Sequence, residues 1–149
     1  MLSIPHQDGT MIAVDTNVLL RYLLEPLDRR NPQWQVSAAK QVIEKEEKVF
    51  ISDIVIAEME WVLGSVFELA RADMIKLFRS LASNVRFCFE DWAALQAALI
   101  DYQENENTDL SDCLIARRAC NHGAVTLYTF EGENRLGALP IVTTLLPTG

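Results

Sequence analysis

From Met11 to Thr143, short apolar runs alternate with stretches of helical spacing, and this alternation constrains the fold more than any other feature. Met11-Ile12-Ala13-Val14 is a continuous apolar run, as expected of a strand buried on both faces. A helix is predicted near Asn17–Leu24, stopping before Pro26, and another near Gln33–Glu46 with Val36, Ala39, Val42 and Ile43 on one side. Val49-Phe50-Ile51 reads as the second strand, and Ser52 can cap a helix running to about Leu63. Arg71–Ser83 has helical spacing through Met74, Leu77, Phe78 and Leu81; Val85-Arg86-Phe87 reads as a strand. Asp91–Tyr102 is helical through Ala94, Leu95, Ala98 and Leu99. Thr108 or Asp109 can cap a helix ending at His122, with Gly123 just beyond its end. Val125–Phe130 and Pro140–Thr143 read as the last strands. Such alternation predicts an α/β fold, a parallel sheet covered by helices on both faces.

The chain has 149 residues, half of them apolar, which suits one domain with a core that needs no disulfide or structural metal. No repeat, low-complexity stretch or Gly/Ser linker divides it. We expect one domain over 11–149 after a loose leader at 1–10, with Met11 an alternative beginning. The leader lacks a basic start and a long apolar stretch, so it does not read as a secretory signal. Apolar runs are short and broken by charge, so no membrane span is expected. Cys88, Cys113 and Cys120 are odd in number and lack paired metal spacing, which suits a reduced, cytoplasmic protein. Cys113 and Cys120, two helical turns apart, are expected to pack in the core. The net charge of −8 runs against the basic footprint usual for nucleic-acid binders, unless carboxylates converge on cations or the basic residues cluster.

Four carboxylates fall at equivalent structural places. Asp15 ends the first strand, Glu58 lies in the second turn of the helix after the second strand, Asp112 lies in the first turn of a late helix, and Glu131 follows the strand ending at Phe130. In an open parallel sheet, ligands sit beyond the carboxyl ends of the strands, so all four are expected at one edge. Glu58 shares a helical row with Ile54, Trp61 and Val62, and Asp112 with Ile115, Ala116 and Ala119. A carboxylate on an apolar stripe should be neutralised, hydrogen-bonded or bound to a cation. Each also has a plainer role: Asp15 as a helix cap, Glu58 as a half-buried residue with its head in water, Asp112 as a helix-dipole partner, Glu131 as a turn residue. Glu60, on the other side of its helix, faces apolar neighbours too. Carboxylates without nearby His or Cys suit Mg²⁺ or Mn²⁺ rather than zinc. His6 and His122 are the only histidines, neither has a motif partner for a nucleophile triad, and there is no glycine-rich phosphate loop.

Ile12-Ala13-Val14-Asp15-Thr16-Asn17-Val18-Leu19 resembles the opening motif of PIN domains. Ile51-Ser52-Asp53-Ile54-Val55-Ile56-Ala57-Glu58, followed by Trp61-Val62-Leu63, resembles the second motif of VapC-type toxins. Thr108-Asp109-Leu110-Ser111-Asp112-Cys113-Leu114-Ile115-Ala116 resembles the third motif, and Thr129-Phe130-Glu131 the fourth. The motifs run in family order from Met11 to about Leu145. The resemblance implies a three-layer α/β/α fold with a central parallel sheet. It implies a Mg²⁺- or Mn²⁺-dependent endoribonuclease that hydrolyses RNA phosphodiesters, the toxin of a toxin–antitoxin pair, with a cognate antitoxin and homodimerisation. Asp15, Glu58 and Asp112 would hold the metal, and Glu131 would complete the catalytic set. Thr16, Asn17, Asp109 and Thr129 would support it. Glu131 stands where the family usually has Asp, one methylene shorter, and Glu133 is a possible substitute. Only the motif prefers Glu58 to Glu60.

Arg21, Arg117 and Arg118, with Arg29 or Arg30, are candidates for contacting RNA phosphates; solvated helix faces are the plainer reading. The helices bearing Trp34 and Trp61 could offer a groove to an amphipathic partner helix, or the two tryptophans could be core residues. A non-catalytic PIN-fold module binding RNA or protein is the alternative function. A phosphoacceptor domain fits poorly: Asp15 is followed by Thr16-Asn17 rather than a second Asp, and no lysine follows the Val125–Phe130 strand.

Overall fold

Side chains at three strand-to-helix junctions start helices. The computed structural model describes residues 11–24, 32–132, 139 and 141–148. β1 (Ile12–Ala13) leads into α1 (Thr16–Leu23), whose first free amides are met by Asp15, its side chain accepting from Val18 N. After α2 (Gln33–Lys45), β2 (Val49–Ile51) leads into α3 (Asp53–Ser65), capped by Ser52 Oγ, which accepts from Val55 N. α4 (Arg71–Ser83) precedes β3 (Phe87–Phe89), and α5 (Trp92–Glu104) is capped by Asp91, which accepts from Ala94 N. Each such cap stabilises its helix by about 1 kcal/mol. α6 (Leu110–Asn121) ends at His122 and is followed by Gly123 at φ +88°, a left-handed position that glycine occupies without steric cost. β4 (Leu127–Thr129) and β5 (Val142–Thr144) close the chain.

Every strand pairing among the described residues is parallel. β1, β2 and β3 form one sheet in that order, with Ile12 opposite Val49 and Val49 opposite Phe87. β4 and β5 pair with each other, Leu127 opposite Val142. Among the described residues the parallel strands thus form two hydrogen-bonded pieces. Helices and parallel strands make the expected three-layer α/β/α architecture. The core joins Leu19 of α1, Ile43 of α2, Val49 and Ile51 of β2, Met59 and Leu63 of α3, Phe78 of α4 and Leu99 of α5, all fully buried.

Two local expectations shift. The third strand was expected at Val85–Phe87 and starts instead at Phe87, because a turn occupies the preceding residues. Asn84 Oδ1 accepts from Arg86 N at 3.0 Å, and Phe87 N donates to Asn84 O. Arg86 then spends its guanidinium on the end of α2, donating to the carbonyls of Ile43 at 3.0 Å, Glu44 at 3.1 Å and Glu46. Cys113 is buried as expected, whereas Cys120 is exposed, since the outer end of α6 rises clear of the core. The leader, Arg29 and Arg30 lie outside the described residues.

Candidate functional site

Asp15 sits two residues beyond β1, at the carboxyl end of the sheet, and its capping bond to Val18 N is 3.0 Å. Behind it Thr16 is buried, and its Oγ1 has no hydrogen-bond partner among the described residues. Asp15, Asn17 and Arg21 line a groove of roughly 570 Å³ between α1 and α2, with Trp34 and Val42 on the far wall. Trp34 is 70% exposed, so the groove has an open aromatic lip. Arg21 crosses it, donating from Nε to Gln35 Oε1 at 2.6 Å and from Nη1 to Asn17 O at 3.4 Å. Acid, base and aromatic surface therefore meet in one depression.

The second motif behaves differently from expectation. Glu58 is exposed, and its row-mates Ile54 and Trp61 are 71% and 67% exposed. Of the apolar row that argued for a buried Glu58, Val62 alone packs against the core. α3 is apolar on nearly all sides, so its periodicity does not reveal which face turns inward. The inward face is Val55, Ile56, Met59, Glu60 and Leu63. Glu60 is thus the buried acid of this helix. Its Oε2 accepts from Leu110 N at 2.5 Å and its Oε1 from Ser111 N at 2.9 Å. Burial pushes its pKa up, opposed by those backbone N–H groups, which favour the charged form.

Asp112 is half-buried in the first turn of α6. Asp109 stands at the N-cap position but is exposed and makes no side-chain cap bond among the described residues; Glu60 takes that part. Glu131 follows β4 and is exposed. Its N–H donates to Thr129 Oγ1 at 3.0 Å and its carbonyl accepts from Thr144 Oγ1 at 2.7 Å, so Thr129 shapes the turn that presents Glu131. Glu133 lies outside the described residues.

Among the described residues, no three Asp, Glu, His or Cys side chains stand close enough to enclose a metal ion. Asp15, Glu58 and Asp112 do not form a closed cage as placed. The donor chemistry nevertheless suits a hard divalent cation. The candidates are carboxylates joined by one unpartnered hydroxyl at Thr16. Mg²⁺ characteristically takes only one or two carboxylates and completes its shell with water and substrate phosphate.

The arginines of α6 are engaged within the protein. Arg117 forks onto Asp101, Nε to Oδ2 at 2.6 Å and Nη2 to Oδ1 at 2.8 Å. Arg118 reaches three acids at the ends of β2 and β3: Asp53 at 3.0 Å, Glu90 at 2.8 Å and Asp91 at 2.9 Å. Burial and neighbouring Glu90 raise the Asp53 pKa, against the pull of Arg118. The ends of β2 and β3 thus carry acids absent from the sequence-derived set, joined by one cation. Only the tertiary fold brings these partners together.

No helix among the described residues is long and apolar enough to cross a membrane. Comparison with curated proteins gives no match. The family model for the PIN domain matches residues 12–135, well over half of the chain and spanning all four acidic positions. The chain therefore belongs to the PIN domain family, whose members are generally nucleases that use divalent metal ions.

Proposed function

We propose that this protein is a Mg²⁺- or Mn²⁺-dependent endoribonuclease, the toxin of a cytoplasmic toxin–antitoxin pair. The observation that carries the reading is the groove at the end of β1, where Asp15, Asn17 and Arg21 meet an exposed tryptophan inside the PIN match. In this reading Asp15, Glu58 and Asp112 are the metal-binding acids, Glu131 completes the set from the rim, and Thr16 and Asn17 back Asp15. A divalent cation, when bound, would offset phosphate charge and make a water more acidic. Arg21 would orient an RNA phosphate along the groove, and Trp34 would offer a stacking face to an unpaired base. Asp112, in the first turn of α6, would orient the attacking water. Glu131 would approach from the carboxyl end of β4.

The same groove suits control by a partner. Its wall of Ala38, Ala39 and Val42 would take the apolar face of an antitoxin helix, and Asp15 would pair with an arginine or lysine of that partner. Such a cation would compete with the metal. Homodimerisation belongs to this reading as well.

A non-catalytic binding module is the second reading, favoured by the absence of a three-acid cluster among the described residues and by the outward-facing Glu58. Cleavage of a labelled structured RNA with Mg²⁺, with Mn²⁺ and with chelator separates the two. Asp15→Asn and Asp112→Asn keep shape and remove charge; each should lower cleavage by about 100-fold or more while the fold persists. Metal-independent cleavage, or full activity in both variants, would overturn the nuclease site. Binding of RNA with no cleavage under any metal would favour the module.

A further inference from the structure

The segment joining α5 to α6 is held at both ends by charged side chains from other helices. Arg71, the first residue of α4, donates from Nη1 to Thr108 O at 2.7 Å and from Nη2 to Asn105 O at 2.8 Å and to Tyr102 O. Its guanidinium also lies over the Tyr102 ring, 3.9 Å from the centroid. These carbonyls belong to the end of α5 and the loop after it, where the helix pole is negative. Glu60 does the converse at the start of α6, where the pole is positive, binding the Leu110 and Ser111 amides. Within the loop, Thr108 is buried and donates from Oγ1 to Asn105 O at 2.7 Å.

A local cap was available to α6. Asp109 stands at the capping position, from which a side chain reaches the amides of Ser111 and Asp112. A cap from within the same segment fixes only the helix. A cap from α3 fixes where α6 begins relative to α3. Asp112 follows Ser111 directly in the first turn of α6, and Glu58 lies two residues before Glu60 on α3. One buried carboxylate therefore ties together the two helices that carry these acids.

We propose that Glu60 and Arg71 are positioning residues for the nuclease site, setting the place of Asp112 through a two-ended backbone clamp on residues 105–111. This rests on the reading of Asp112 as a site acid. Glu60 touches no reacting atom; it acts through the amides of Leu110 and Ser111. Displacements of about 1 Å at a reacting centre can cost about 100-fold in rate, so a loosened clamp acts on kcat.

The test uses the full chain with Glu60→Gln, Glu60→Ala and Arg71→Lys, and with Asp112→Asn in parallel. Gln keeps one acceptor but sets an amide N–H₂ against the other backbone N–H; Lys keeps the charge but loses the fork. Cleavage is measured well below each variant's Tm, and Mn²⁺ binding by calorimetry. Amide exchange is followed at Leu110 and Ser111, with Val55 and Ile56 as controls. In Glu60→Ala and Arg71→Lys we expect kcat to fall about tenfold or more with KM within roughly twofold, Glu60→Gln falling between them and wild type. Mn²⁺ affinity should fall in the same order, and exchange should quicken at Leu110 and Ser111 but not at the controls. If Glu60→Ala does not fold, Glu60→Gln and Arg71→Lys decide. Folded variants with wild-type kcat and Mn²⁺ affinity, or losses that only follow the unfolded fraction, would overturn the proposal. Wild-type cleavage in Asp112→Asn would overturn the nuclease reading and the proposal together, and is told apart because it leaves Glu60 and Arg71 intact.

Discussion

Arg117→Ala tests whether the arginines of α6 serve the fold or the substrate. Asp101 on α5 is 6% exposed, and its two oxygens receive the Arg117 fork at 2.6 and 2.8 Å. Removing the arginine leaves a buried carboxylate without its cation. Breaking a fully buried pair costs about 3–5 kcal/mol. Here the arginine side chain is 33% exposed, so water reaches part of the pair. We therefore take about half of the buried figure, about 2 kcal/mol. For a domain of this size each kcal/mol shifts Tm by about 2–4 °C, so the expected loss is about 4–8 °C. Thermal unfolding by circular dichroism, supported by urea titration, measures it. Asp101→Ala and the double variant complete a cycle in which the pair should show a coupling of about 1–2 kcal/mol. RNA binding measured across a salt series should keep its slope in Arg117→Ala. An unchanged Tm with a slope shallower by about one phosphate contact would refute the argument and return Arg117 to the RNA interface.

The remaining predictions use other parts of the molecule. Arg21→Ala should weaken RNA binding and make its salt dependence shallower by about one phosphate contact, as an identical slope in filter binding would disprove. Cys120 is exposed and should react first with a maleimide, whereas burial pushes the Cys113 thiol up to about 11, so that it should react only as the protein unfolds. Equal labelling rates, read by mass spectrometry, would contradict that placement. Asp91→Ala should cost about 1 kcal/mol through loss of the α5 cap. The Ala94 N–H and Arg118 hold the Asp91 carboxyl below its ordinary 3.8, so its contribution is present above pH 3.8 and is lost as pH falls through the lower folded value. Acid unfolding curves of wild type and Asp91→Ala should therefore converge at the acid end; a constant gap down to the lowest pH would reject the linkage.

Local chemistry in the sequence was enough to determine the order and kind of the elements. Asp15, Ser52 and Asp91 cap helices from the residue next door, and Gly123 closes α6 at φ +88°; these interactions span a few residues and leave local signals. The position of Asp15 beyond β1 was legible for the same reason, since a strand end is a local feature. The inward face of α3 was not. Ile54, Val55, Ile56, Met59, Trp61 and Leu63 put apolar side chains around most of that helix, and the surrounding layers chose Glu60 for the core and Glu58 for solvent. The partners of Arg117 and Arg118 were equally hidden. Asp101, Asp53, Glu90 and Asp91 lie on other elements, and ion pairing depends on separation in space, which only the packing of α5, α6 and the strand ends decides.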